Sequence, residues 1–386
     1  VTPPLWLLVL LVGMGPFTMQ VLIPVMPAIG AETGAGQAGA QLTLTLYLLG
    51  VAVGQLFYGP LSDRFGRRPL LLIGLAAYTA ASLGAALAQG IGWLVAARVA
   101  QSLGACAGLV LARAIVRDVW PRDEAASRLG YIVMGMTIMP MLGPLAGAML
   151  DALAGWRATL LACAALGAAL FAAVAWRLPE TLREPQGLPG IAGLAAMWSG
   201  LARVPEFRAQ AAVVACSTGV FYAFMGGAPY VVITGMGHSP AAYATAFMMI
   251  SVTFAAGSFA AGRLSASSGT ARMVEIGLVA ITLGAMSSLV LQVAADPPIW
   301  LYFLPMAVTA FGNGISQPNA LAAALSVRPQ LAGTASGLVG AWQMALGAAM
   351  TLLVGVIETG SGIATAAAMA ACGVGAQLAQ RATTRG

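Results

Sequence analysis

Gly54-Gln-Leu-Phe-Tyr-Gly59-Pro-Leu61-Ser62-Asp63-Arg64-Phe-Gly66-Arg67-Arg68 is the stretch on which the fold turns. Its segment 54–66 returns later in the chain as Gly257-Ser-Phe-Ala-Ala-Gly262-Arg-Leu264-Ser265-Ala-Ser-Ser-Gly269. The glycines, the leucine and the serine keep their spacing, while Asp63 and Arg64 give way to Ala266 and Ser267. Each copy lies between the second and third apolar run of its half, so the chain reads as two related halves. Parallel repeats of this kind, with the substrate site between them near mid-membrane, are a transporter architecture.

The rest of the chain places that repeat in a membrane. Of its 386 residues 60% are hydrophobic and 8% charged, against about 25% charged in soluble domains. A surface so poor in charge needs lipid around it. A spanning helix takes about 20 apolar residues. Spans are expected near 5–27, 41–61, 69–89, 93–114, 128–150, 158–176, 209–233, 242–262, 273–294, 299–320, 333–356 and 361–379. The expectation is an all-α integral membrane protein of 12 transmembrane helices, with six-helix bundles at 1–176 and 209–386. The polar stretch 177–208, with Pro179, Pro185, Pro189 and Pro205, reads as a cytoplasmic linker in which 191–202 form a short interfacial helix. The opening Val1-Thr2-Pro3-Pro4 lacks a Met, so a short leader is expected to be missing, and the first apolar run is too long for a signal peptide.

All 18 basic residues are arginine, and their distribution orients the chain. With the N-terminus in the cytoplasm, the inside segments hold Arg64, Arg67, Arg68, Arg117, Arg122, Arg128, Arg177, Arg183, Arg203, Arg208, Arg263, Arg272, Arg328, Arg381 and Arg385, and only Arg157 falls in an outside loop. The positive-inside rule then puts both termini in the cytoplasm. The arginines are scattered singly between apolar runs, which excludes a nucleic-acid surface. Cys106, Cys163, Cys216 and Cys372 sit within apolar runs and form no CxxC pair, so they read as core packing. No G-x-x-x-x-G-K-[ST] loop is present, so this chain does not use ATP directly.

The motif itself has a physical logic. Gly59 would let two helix backbones approach closely. Asp63, at a helix end, could accept from N–H groups at the start of a neighbouring helix. Arg64, Arg67 and Arg68 hold the loop on the cytoplasmic side and could pair with an acid such as Asp118. Three further stretches accompany it: Arg98-Val-Ala-Gln101-Ser-Leu-Gly104 through Arg113 to Arg117-Asp118 in span four; Gly135-Met-Thr-Ile-Met-Pro140-Met-Leu-Gly143-Pro144-Leu-Ala-Gly147 in span five; and Leu331-Ala-Gly333-Thr334-Ala-Ser336-Gly337 opening span eleven. Pro24 and Pro27 are expected to close span one, and Gln41-Leu-Thr-Leu-Thr45 opens span two.

Taken together these stretches resemble the major facilitator superfamily, and within it the bicyclomycin and chloramphenicol resistance (Bcr/CflA) drug:proton antiporters, over nearly the whole chain. The resemblance implies that the loop Gly59–Arg68, with Asp118, latches the cytoplasmic side of the halves and releases during alternating access. It implies that Pro140, Gly143, Pro144 and Gly147 mark an exporter; physically they make a kinked, closely packed helix in any case. It also implies that the span-four arginine faces the cavity and couples proton to substrate.

Geometry supports an unusual place for that arginine. Arg98 and Arg113 are separated by about 22 Å along a helix, in a hydrocarbon core about 30 Å thick. Arg113 can reach the interface near Arg117 and Asp118, whereas Arg98, with Gln101 one turn along on its face, is the better functional charge. Its alternative is to snorkel outward. One position departs from the family: where span one usually carries an acid before its prolines, this chain has Gln20, and an amide carries no proton. Glu275, a latch carboxylate, or weak or absent proton coupling remain as explanations, and Asp151 lies near the outer end of span five.

Phe221, Tyr222, Phe224 and Met225 in span seven, with Met248 and Met249, could line a cavity for apolar drugs or simply pack. Tyr47, Gln55, Asn313, Gln317 and Asn319 are polar groups in or beside spans, some of which should line a path. His238 is a lone loop histidine, which excludes a two-histidine zinc site. The sequence therefore points to a secondary transporter of small amphipathic compounds with no cofactor, and the resemblance implies a bacterial inner-membrane protein that acts as a monomer with protons as coupling ion. The alternative is an exporter of an endogenous metabolite, such as a sugar, an amino-acid derivative or a siderophore. No nucleophile–base pair or metal cluster suggests an enzyme, and the paired loops argue against an open channel.

Overall fold

The computed structural model describes residues 3–182, 190–294, 297–328 and 331–383, and omits the side chains of 122, 123, 125–127, 129, 130, 133–137, 191 and 383. Arg183, Pro185 and Pro189 of the expected linker fall outside the described residues, as do Arg385 and the side chains of Arg122 and Gly135-Met-Thr137. The described chain is helical, with no strand among the described residues.

The helices are α1 Leu5–Gln20, α2 Met26–Glu32, α3 Gly36–Phe65, α4 Arg67–Ala86, α5 Ile91–Val119, α6 Arg122–Ala154, α7 Trp156–Arg177, α8 Ile191–Ala202, α9 Pro205–Pro229, α10 Pro240–Ser268, α11 Thr270–Ala294, α12 Ile299–Ser326, α13 Ala332–Ile357 and α14 Ile363–Thr383. By length and composition, eleven segments among the described residues could cross a membrane, α1 and α2 counting as one. The twelfth, α6, is 33 residues of unbroken helix, with Ile138–Ala154 as its apolar part. Several helices outrun the expected spans because hydropathy sees only the apolar centre: α3 covers 30 residues where 41–61 was expected. The short helix expected at 191–202 is α8.

Span one departs from expectation. Pro24 and Pro27 do not close it. Proline lacks an N–H and collides with the preceding turn, yet is tolerated at the start of a new helix. The chain accordingly passes through a 3-10 turn at Ile23–Val25 and resumes as α2 to Glu32. Span seven behaves alike: Pro229 ends α9, and a π-helical turn, Tyr230–Gly235, continues it.

The chain divides into two compact units, Val1–Ile191 and Ala192–Gly386. Each repeats the same internal joints. α3 ends at Gly66 with φ 95° and α10 at Gly269 with φ 81°, a left-handed backbone that glycine adopts without a Cβ penalty. α4 and α5 touch backbone to backbone: a Cβ on Gly104 would lie 2.5 Å from the Gly74 carbonyl oxygen, and one on Gly312 of α12 would lie 2.4 Å from that of Gly277 in α11. Gly59 does not perform the expected close approach. A Cβ there meets nothing within 4 Å, as at its counterpart Gly262. The crossing of α3 with α5 falls earlier, where Gly50 meets Ser102 and Gly54 meets Cys106. Large apolar side chains such as Ile73, Leu87, Leu153, Phe259 and Leu283 are exposed around both units, a surface suited to lipid.

Candidate functional site

Arg98 heads the largest fully buried side chains, at 1% exposure. It points into the first unit and does not snorkel. Its guanidinium lies 4.3 Å from the centre of the Tyr47 ring and donates to Gln101 Oε1 at 2.5 Å and to the Thr18 carbonyl at 3.4 Å. Gln101 Nε2 donates to Ser82 Oγ at 2.7 Å, and Ser82 donates to the Tyr78 carbonyl at 2.7 Å. Tyr78 and Thr18 share a hydroxyl–hydroxyl bond of 2.5 Å, and Tyr47 donates to the Gly15 carbonyl at 3.1 Å. Four helices, α1, α3, α4 and α5, thus converge on one cation. Among the described residues no carboxylate forms an ion pair with it, and its Nε has no hydrogen-bond partner.

The second unit is a control for what packing alone requires. Pairing Gly74 with Gly277 and Gly104 with Gly312 carries Tyr78, Ser82, Arg98 and Gln101 onto Ile281, Ala285, Met306 and Thr309. All four counterparts are fully buried, and Thr309 satisfies itself on the Pro305 carbonyl at 3.1 Å. The same crossing packs without a charge, so Arg98 and Gln101 are not dictated by the fold.

Gln20 lies beside this cluster in sequence, at the end of α1, and is 1% exposed. The span-five glycines meet the break that follows it: a Cβ on Gly143 would lie 2.5 Å from Gln20 Cβ, and one on Gly147 would lie 2.0 Å from the Val21 carbonyl oxygen. The stretch Pro140–Gly147 therefore seats α6 on the span-one break. Pro140 and Pro144 leave α6 continuous.

The α3–α4 loop holds a charged cluster. Arg67 Nε donates to Asp118 Oδ2 at 2.9 Å, its NH1 pairs with Asp63 at 2.6 Å, and it also donates to Ser62. The N–H groups at the start of α4 do not go to Asp63. They go to Glu180, which accepts from Arg67 N at 3.0 Å and Arg68 N at 3.1 Å. Arg68 donates to the Ala175 carbonyl at 2.8 Å, while Arg64 is exposed and stacks on Phe65. At the other end of the unit, Glu32 pairs with Arg157 and accepts from Trp156 Nε1 at 2.6 Å.

In the second unit, Phe224 is 1% exposed, its ring centre 5.3 Å from that of Phe303 and 5.6 Å from that of Tyr302. It packs in the core of the unit against these rings, whereas the sequence offers it as a candidate cavity residue. Tyr222 packs on Gly347 with its hydroxyl 3.5 Å from Met344 Sδ. Glu275 is exposed. Glu358, which lies just past span eleven and drew no attention in the sequence, is 5% exposed and accepts from Gly360 N, Gly362 N, Thr365 N and Thr365 Oγ1 at 2.6–3.0 Å. With four donors it anchors the start of α14.

A two-unit array of membrane-length helices, with a cation enclosed in the first unit, is the architecture of an integral membrane protein. The chain belongs to the Major Facilitator Superfamily, whose family model matches residues 5–352. It is 31% identical over 325 residues to a chloramphenicol resistance protein of Pseudomonas aeruginosa, covering 83% of this chain and 76% of that one. It is 29% identical to multidrug resistance protein D of Escherichia coli (strain K12), covering 93% and 90%, and 28% identical to a bicyclomycin resistance protein homolog of Haemophilus influenzae, covering 94% and 92%. These relatives bear out the resemblance to the bicyclomycin and chloramphenicol resistance subfamily. Among solved structures, the fold is similar to that of a bacterial homolog to the human lysosomal transporter Spinster, with a TM-score of 0.79 at 16% identity, covering 99% and 97% of the two chains. It is also similar to a D-xylose–proton symporter, with a TM-score of 0.78 at 15% identity, covering 97% and 96%.

Proposed function

We propose that this protein exports small amphipathic compounds, antibiotics among them, from a bacterial cytoplasm across the inner membrane by alternating access, in exchange for protons. In this reading residues 177–208 link bundles 1–176 and 209–386, both termini are cytoplasmic, the monomer is the working unit, and the Asp63–Arg67–Asp118 cluster is the latch. The observation that carries the proposal is the enclosed Arg98 cluster: a buried cation on neutral partners, in one unit only, within a chain whose relatives are named for drug resistance. Burial of an unpaired charge costs several kcal/mol, and a site that keeps one at such a cost is a functional site by default. Gln20 does not titrate, so the proton is assigned to another group, and Glu275→Gln tests one candidate through the pH-gradient dependence of transport.

The experiment is accumulation of labelled chloramphenicol in pump-deficient cells expressing the protein, with and without a protonophore. Lower accumulation that the protonophore restores is expected. Accumulation unchanged by a well-expressed, folded protein, for chloramphenicol and for a panel of other drugs, would sink the drug-export reading.

A further inference from the structure

Thr218 of α9 is a buried hydroxyl with every valence in use. Its single proton goes to the Val214 carbonyl at 2.9 Å, and its oxygen accepts from Gln317 Nε2 of α12 and Gln343 Nε2 of α13, both at 2.8 Å. A hydroxyl has one donor and two acceptor sites, so this arrangement also fixes how the two side-chain amides are turned. With the Thr218 proton committed, each glutamine must present its NH2 group to the hydroxyl, and each amide oxygen must point away from it. Gln317 and Gln343 are both half-buried. One turn before Gln317 on the same helix stands Asn313, 2% exposed, whose Oδ1 has no hydrogen-bond partner. A buried amide oxygen without a donor keeps an uncompensated desolvation cost, which a bound ligand carrying an O–H would recover. Phe221 and Tyr222 follow Thr218 by about one turn of α9, and the Tyr222 hydroxyl reaches Met344, the residue after Gln343, so apolar side chains flank this stretch of both helices.

We infer that Asn313, Gln317 and Gln343, anchored by Thr218, form a neutral acceptor subsite that binds the hydroxyl groups of an uncharged amphipathic substrate. The inference rests on the export reading above and specifies the substrate class within it. The amide oxygens turned away from Thr218 and the Asn313 Oδ1 are uncharged acceptors, so they favour compounds that bring hydrogen-bond donors and give a permanent cation no charge to pair with.

The test is equilibrium binding to purified protein in nanodiscs with three probes: chloramphenicol, which carries two hydroxyls; its diacetyl ester, which carries none; and ethidium, a permanent cation. The wild type is expected to bind chloramphenicol at least tenfold more tightly than the ester. Gln317→Leu and Gln343→Leu are each expected to weaken chloramphenicol binding five- to fifteen-fold and to leave the ester and ethidium within twofold. The comparison of chloramphenicol with the ester needs no variant, so it stands even where a substitution fails to fold. Equal wild-type affinity for chloramphenicol and ester overturns the subsite, as does a parallel loss for all three probes in the variants. Failure of the folded wild type to bind any of the three overturns the export reading and the subsite with it.

Discussion

The double substitution Arg98→Met with Gln101→Thr installs in the first unit the residues that occupy the matching crossing of the second, Met306 and Thr309. Its effect on stability can be worked from the contacts. The wild-type guanidinium gains about 2 kcal/mol from a desolvated aromatic face, here Tyr47 at 4.3 Å. It gains about 1.5–3 kcal/mol from a hydrogen bond involving a charged group, the bond to Gln101, and less from the 3.4 Å contact with Thr18. Against these stand several kcal/mol for burying an ion and about 1–3 kcal/mol for an Nε–H without an acceptor. The opposing terms are of equal size, so the double variant should lie within about 2 kcal/mol of wild type, or above it, as when buried ionic groups are replaced by well-packed apolar ones. Arg98→Met alone should be less stable than the double variant, because Gln101 Oε1 loses its donor. The assay is thermal unfolding of purified protein, paired with export of whichever compound the accumulation experiment identifies. The expected result is a folded protein with wild-type stability or better and no export. A double variant that fails to fold would show that Arg98 is a structural requirement, and one that exports at the wild-type rate would remove it from the mechanism.

Three further substitutions probe the joints around the site. Gly147→Ala forces a Cβ to within 2.0 Å of the Val21 carbonyl oxygen, so α6 must shift off the span-one break, and export should fall at least tenfold with a lowered unfolding temperature; unchanged export would mean that this contact does not matter. Gly66→Ala strains a residue at φ 95° and puts a Cβ 2.5 Å from Glu180 Oε2, and should cost more stability than Glu180→Gln, which leaves one acceptor at the start of α4 and should cost about 1 kcal/mol; the reverse order in thermal unfolding would refute the cap. Phe224→Ala should lower stability by about 3–5 kcal/mol as an ordinary core truncation, with equal loss of export for every compound, whereas a change confined to some compounds would return Phe224 to the cavity.

What the sequence could convey depended on how far apart the interacting groups lie along the chain. The eleven spanning segments among the described residues and the apolar part of α6 follow from hydropathy, and the partnership of Arg98 with Gln101 follows from helical spacing, since both facts are local. The ring of Tyr47 under Arg98, the Thr18–Tyr78 bond and the acceptance of Gln101 by Ser82 join different helices, and no local pattern encodes them. Glu180 escaped notice because its partners are backbone amides, two of them more than a hundred residues earlier and two just after it, and backbone amides carry no sequence signal. Pro24 and Pro27 misled, because a proline that ends one helix serves equally well as the first turn of the next. Phe224 shows the ambiguity of aromatics in a span, where a lining residue and a packing residue look alike until a neighbour such as Phe303 closes over the ring.

The duplicated architecture separates what folds this chain from what operates it. Both units cross their third and fourth spans on a glycine pair and turn their second span into their third through a left-handed glycine. These shared features concern backbone approach, where any side chain would intrude. The features that differ are chemical. The pairs of Arg67 with Asp63 and Asp118 and of Arg157 with Glu32 lie in the first unit, and so does the enclosed Arg98. At its helix crossings the second unit uses hydroxyls and amides, Thr218 with Gln317 and Gln343 and Thr309 on its own helix, and its buried carboxylate, Glu358, lies apart from them at the start of α14. Because the second unit reaches the same joints without charge, the charges of the first cannot be explained as the means of making those joints. They are costs carried on top of a fold that does not need them, and the Arg98 cluster, enclosed and lacking an acid among the described residues, is the costliest of them.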